Sequence, residues 1–125
     1  MRKILIIDDE DGVRKIAQMS LEILTDWEVL TAASGTEGLI LAQSQQPDAI
    51  LLDMVMPDLD GVTTFEKLQA NFTTRNIPTI FLSAKMAESE KQKFLDLGLT
   101  GLITKPFDAQ SLVKQIREIL AWKSG

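Results

Sequence analysis

The chain has 125 residues, of which 45% are hydrophobic and 25% charged, with a formal net charge of −5; this is the size and balance of one ordinary globular domain. It has no cysteine and no histidine, which excludes disulfides, thiolate catalysis, zinc–thiolate sites, histidine-ligated metals and histidine acid–base chemistry. The negative charge and scattered basic residues argue against nucleic-acid binding within this chain, and no apolar run approaches the ~18 residues of a membrane span.

Met1-Arg-Lys leads directly into an apolar run, without the longer apolar segment and small-residue cleavage site of a signal peptide. The expected compartment is therefore the cytoplasm. Strand candidates then alternate with helix candidates five times. The strands fall near 3–8, 27–32, 48–53, 78–82 and 100–104, and the helices near 11–24, 35–45, 61–71, 87–97 and 108–121. The strands bearing the key residues are continuously apolar rather than alternating, the pattern of parallel strands buried on both faces. Val13, Ile16, Ala17, Leu21 and Leu24 form a stripe expected to face the sheet, as do Leu112, Ile116, Ile119 and Leu120 in the last helix. Ser34 and Asp108 stand where helix N-caps belong, and Gly98 suits a C-terminal cap. Pro47 and Pro78 stand just before strands, where a missing donor is tolerated.

No linker, repeat or low-complexity segment interrupts this order, so residues 1–125 read as a single domain. Strand–helix alternation requires right-handed crossovers and a parallel sheet covered on both faces. The predicted fold is a doubly wound, three-layer α/β domain. The flavodoxin-like strand order 2-1-3-4-5 puts the switch point between the first and third strands.

Charged residues mark the carboxyl ends of these strands, where open α/β sheets hold their ligands. Asp8 and Asp9 end the first strand and Asp53 ends the third, while Lys105 follows the fifth. Two carboxylates about 4 Å apart repel by roughly 4 kcal/mol at an effective dielectric near 20. A converging set needs a cation, and hard oxygen ligands favour Mg2+. Glu10 and Asp11 read instead as residues of the first helix turn, opposing its dipole; for Asp8 and Asp9 alone, both readings stand. Asp53, on a loop beside a divalent ion, is placed to attack a phosphoryl group. Ser83 ends the fourth strand, where its hydroxyl can bond a phosphate oxygen or its own backbone. Lys105 can act as a point charge toward carboxylate or phosphate.

The motifs Ile7-Asp-Asp-Glu, Leu52-Asp-Met-Val-Met-Pro-Asp-Leu-Asp-Gly, Leu82-Ser-Ala and Thr104-Lys-Pro-Phe occur in that order, each at a strand end. In these the sequence resembles the receiver domains of two-component response regulators, including the single-domain chemotaxis type, from Lys3 to about Leu120. The resemblance implies Asp53 as phosphoacceptor. It implies Mg2+ organised by Asp8 and Asp9, with Asp9 the more direct ligand alongside Asp53 and the backbone carbonyl of Val55. It implies Ser83 as sensor of the phosphoryl group, Lys105 as its binder, and a cis bond before Pro106, which proline permits at about 0.5–1 kcal/mol. The implied partners are a histidine kinase or histidine phosphotransfer protein as phosphohistidine donor, and an unidentified downstream protein. The chain then catalyses only its own phosphorylation and dephosphorylation. The switched surface is expected around the fourth helix, fifth strand and fifth helix.

Two positions depart from the family pattern. Leu102 stands where the family often has an aromatic switch residue, so the usual ring movement is not expected. Val55 and Lys85 occupy positions that influence water access to the acyl phosphate, and their side chains imply slow self-dephosphorylation. The initial Met and the chain's stop at Trp122-Lys-Ser-Gly lead to the expectation of a stand-alone regulator. Two other functions compete. A degenerate receiver acting as an unphosphorylated scaffold is opposed by the complete acidic pair, Asp, Ser and Lys set. A small Mg2+-dependent aspartyl phosphatase would need a substrate-covering cap, for which 125 residues leave no room.

Overall fold

Apolar continuity and capping chemistry divide the chain into ten alternating elements. The computed structural model describes residues 2–84 and 86–122. In order they are β1 (Lys3–Ile7), α1 (Asp11–Leu24), β2 (Glu28–Ala32), α2 (Gly35–Gln45), β3 (Ala49–Asp53), α3 (Gly61–Ala70), β4 (Thr79–Ser83), α4 (Glu88–Asp96), β5 (Gly101–Thr104) and α5 (Ala109–Leu120). The strands form one parallel sheet in the order β2-β1-β3-β4-β5. β1 pairs with β3 through Ile7 opposite Leu52, and β4 with β5 through Ser83 opposite Thr104. This is the doubly wound flavodoxin-like arrangement expected from the alternation.

Every residue of β3 and β4 is buried, because helices cover both faces. Successive side chains divide between two cores. Ile4, Ile6, Leu51, Ile80 and Leu82 meet Ala17 and Leu21 of α1 and Leu112, Val113 and Ile116 of α5. Leu5, Ile7, Ile50, Leu52 and Phe81 meet Ala42, Phe65 and Leu68 on the opposite face. Each fully buried Leu, Ile or Phe contributes roughly 1.5–3 kcal/mol of transfer free energy. On the second face, Phe81 lies edge-on to both Phe65 and Phe94, with ring centroids 5.6 and 5.5 Å away.

The caps follow the sequence signals. Ser34 accepts from the Glu37 N–H at 3.1 Å, while Glu37 reaches back to accept from the Ala33 N–H at 3.0 Å, one residue before the cap. Asp108 accepts from the Ser111 N–H. Gly98, at φ +106°, ends α4 in a Schellman pattern in which Leu99 donates to the Phe94 carbonyl and Gly98 to that of Leu95.

The apolar stripe assigned to α1 needs correction. Ala17 and Leu21 face the sheet, but Ile16 is 55% exposed and Leu24 40%. At 100° per residue, Ile16 falls with Met19 and Ile23 on a second apolar face, turned outward. Leu24 is the helix's last residue, with no further turn to cover it. At the amino end of β2, Trp27 packs edge-on against Trp122 at 5.2 Å. Arg2 lies over Trp122 and Arg117 over Trp27.

Candidate functional site

The β1–β3 pairing sets the ends of both strands side by side. Asp8, fully buried, follows β1, and Asp53, 6% exposed, ends β3. With exposed Asp9 they bring carboxylate oxygens within 4.8 Å of one another. Lys105, entering from beyond β5, donates from Nζ to Asp53 Oδ1 at 3.0 Å and to Asp8 Oδ2 at 3.3 Å. Four residues up to 97 positions apart in the chain thus meet in one cluster.

Neighbouring bonds orient them. Asp8 Oδ1 accepts from the Glu10 N–H at 2.9 Å, and Arg14 donates to the Asp8 main-chain oxygen at 2.7 Å. The Lys105 N–H donates to the Ser83 carbonyl at 2.8 Å, tying the ends of β4 and β5. The Lys105–Pro106 bond is cis. Ser83 is buried, and its hydroxyl donates to the Ala84 carbonyl at 3.0 Å. Asp53, Val55, Ser83 and Lys105, with Asp9 and Glu10, line a cleft of about 610 Å³. Val55 stands 79% exposed. Leu102 packs, partly buried, in the core below and does not line the cleft. Lys85 lies outside the described residues.

The electrostatics are those of a crowded acidic site. Burial raises the Asp53 carboxyl above its ordinary range, and the charge of Asp8 adds to this; the Lys105 hydrogen bond and charge and the Val55 N–H oppose them without cancelling them. Burial pushes the Lys105 amine down, but its bond to Asp53 and the charges of Asp8 and Asp53 outweigh burial and raise it. One ammonium does not balance three carboxylates. Hard oxygen donors with an uncompensated charge of −2, two of them buried, fit a divalent cation such as Mg2+.

A family model described as the response regulator receiver domain matches residues 4–117. The chain belongs to the response regulator receiver domain family. Among curated relatives of this receiver is the DNA-binding dual master transcriptional regulator RpaA of Synechocystis, 34% identical over 120 residues, covering 96% of this chain and 49% of that protein. The receiver spans about half the length of the first curated relatives it matches. Chemotaxis response regulator CheY4 of Vibrio cholerae is similar in structure, with a TM-score of 0.88 at 29% identity, covering 95% of this chain and 98% of that one. The receiver domain of sensor histidine kinase PA1611 from Pseudomonas aeruginosa has a TM-score of 0.83 at 26% identity, covering 96% and 98% of the two chains; its structure has a magnesium ion coordinated in the active site cleft.

Sequence reasoning missed the bonds of Arg14 to the Asp8 main chain and of Asp58 to the first turn of α2. Asp58 accepts from the Thr36 hydroxyl at 3.1 Å and from the Gly35 and Thr36 N–H groups at 3.4 Å each. Nothing local to Asp58 points to a partner 22 residues earlier. Among the described residues, no helix is long and apolar enough to cross a membrane.

Proposed function

We propose that residues 1–125 work as one cytoplasmic receiver module that takes a phosphoryl group onto Asp53 from a phosphohistidine of a histidine kinase or histidine phosphotransfer protein. The observation that carries this reading is the ion-paired Asp53 at a strand end, inside an acidic cluster that fits Mg2+. An Asp53 oxygen forms the new O–P bond as the donor's N–P bond breaks, and the leaving imidazole takes a proton from solvent. Lys105 exchanges part of its contact with the acids for the incoming phosphoryl oxygens. Asp9, Asp53 and the Val55 main-chain carbonyl would hold Mg2+, with Asp8 helping to organise the site. Bound Mg2+ supplies charge neutralisation for the transferring oxygens. Ser83 turns its hydroxyl from the Ala84 carbonyl to the phosphoryl group. That exchange biases the α4–β5–α5 surface between two arrangements, and a downstream protein reads the difference.

A protein donor is supported by the surface beside the cleft. Val13, Ile16, Pro106 and Phe107 line a groove of about 360 Å³ next to Lys105, and the exposed Ile16, Met19 and Ile23 continue the apolar surface along α1. Contiguous apolar surface of this kind marks protein contact sites.

Incubation with Mg2+ and acetyl phosphate or phosphoramidate, followed by intact mass, tests the reading. The expected result is one phosphoryl adduct that is absent without Mg2+ and absent in Asp53→Asn. No adduct from either donor would favour a scaffold role instead.

A further inference from the structure

We infer that Asp58 is a positioning residue, joining the loop that carries Val55 to the first turn of α2 so that the metal-facing loop and α2 hold one another in place. This rests on the Mg2+ site proposed above and adds to it a support on a different helix.

The backbone donors of α2 show the connection. A helix leaves its first N–H groups without intrahelical partners. In α2, Ser34 Oγ takes the N–H of Glu37, and Gly38 begins the regular ladder by donating to the Ser34 carbonyl. Gly35 and Thr36 remain, and both donate to the Asp58 carboxylate, which also accepts from the Thr36 hydroxyl. A carboxylate at this end of a helix is also favoured by the helix dipole. Desolvation is the largest single influence on the Asp58 carboxyl and raises it, but the amides of Leu59, Thr36 and Gly35 and the Thr36 hydroxyl together outweigh it and hold the group low.

Packing closes the same joint. A Cβ at Gly35 would meet Thr64 Oγ1 at 2.5 Å and the Leu59 carbonyl at 2.8 Å, so α2 approaches the loop as closely as glycine allows. At the base of the loop, Gly61 donates to the Met54 carbonyl at 2.8 Å, and a Cβ there would collide with the Asp53 carbonyl. Thr64 Oγ1 donates to the Asp60 carbonyl at 2.8 Å. The loop is thus fixed at Met54, at Met56, whose side chain is buried in the core, and from Asp58 onward. Val55, 79% exposed, lies between these anchors, and its N–H donates to Asp53 Oδ1 at 3.5 Å. Residues that orient metal ligands from outside typically change metal affinity by about 10–100-fold when removed.

Mg2+ titration by calorimetry tests this on the full chain, comparing wild type with Asp58→Ala, Asp58→Asn and Thr36→Val. Thermal unfolding and amide exchange are followed on the same samples. Asp58→Ala is expected to weaken Mg2+ binding about tenfold and to speed exchange at Gly35 and Thr36. Asp58→Asn keeps an acceptor and is expected to restore binding to within about threefold of wild type, with Thr36→Val falling between. A lower unfolding midpoint with unchanged Mg2+ affinity in Asp58→Ala would reduce Asp58 to a structural cap and overturn the inference. Asp58→Asn binding as weakly as Asp58→Ala would also overturn it, by showing that charge rather than position matters. Failure of wild type to bind Mg2+ would defeat the metal site itself, and the inference with it.

Discussion

Two helices on the same face of the sheet are held very differently. α2 is capped by Ser34, bonded at its first turn to Asp58, and buries Gly35, Gly38 and Ala42. α4 has no side-chain cap bond and buries none of its residues. Its apolar attachment to this face is Phe94, half-buried, against Phe81. Local stability follows buried apolar contact. α2 is therefore the fixed reference beside the acids, and α4 is the element that small forces at the site can displace. The proposed phosphoryl transfer needs both, because a phosphoryl group can bias only what the remaining fold leaves free.

The most severe way to probe this contrast is the aromatic stack. Phe81→Ala is expected to cost about 3–5 kcal/mol in urea unfolding, as for other fully buried aromatics. Phe94→Ala should cost less than about half of that while exposing the α4 amides to faster exchange. Equal costs would mean that α4 is held as firmly as the sheet, and the contrast would fail.

A smaller effect tests the strain on the acidic side. The folded-state value of Asp53 is raised, so its ionised form counts against folding at neutral pH. Metal-free Asp53→Asn is expected to melt at a higher temperature than wild type at pH 7, read by thermal unfolding. The gain should shrink as pH falls through the raised folded value and vanish below the unfolded value of 3.8. A lower melting point for the variant at pH 7 would show that the Lys105 pair outweighs burial.

The smallest expected effect concerns readout. Leu102→Ala should change partner affinity of the phosphorylated protein by less than about threefold, and Ser83→Ala by tenfold or more, as lost hydrogen bonds to charged groups do. A selective loss of partner binding in Leu102→Ala would make leucine repacking the switch.

Most of the fold was legible because buried parallel strands carry no alternation and helix caps are local. Asp53 and Lys105 could be placed from strand ends alone, since parallel strands bring their carboxyl ends to one edge. The outward stripe of α1 was not legible: Ile16, Met19 and Ile23 have the same periodicity as a buried face, and only the sheet's position decides which face is covered. Asp58 was hidden for another reason. Two of its three bonds to α2 come from backbone amides, and amides carry no residue signature. The Ser83 rotamer was open in the sequence between a ligand bond and a backbone bond, and in the structure the hydroxyl takes the Ala84 carbonyl.

The edge-on tryptophan pair has a practical consequence. Trp27 and Trp122, the chain's only two tryptophans, sit at the amino end of β2, a full strand length from the acids: five residues, or about 17 Å. Intrinsic fluorescence is therefore a clean gauge of whether the domain is folded and a nearly silent one for events at Asp53. Optical detection of metal or phosphoryl binding calls for a chromophore placed beside the cleft, for which Met54, next to the acceptor in sequence, is the natural position.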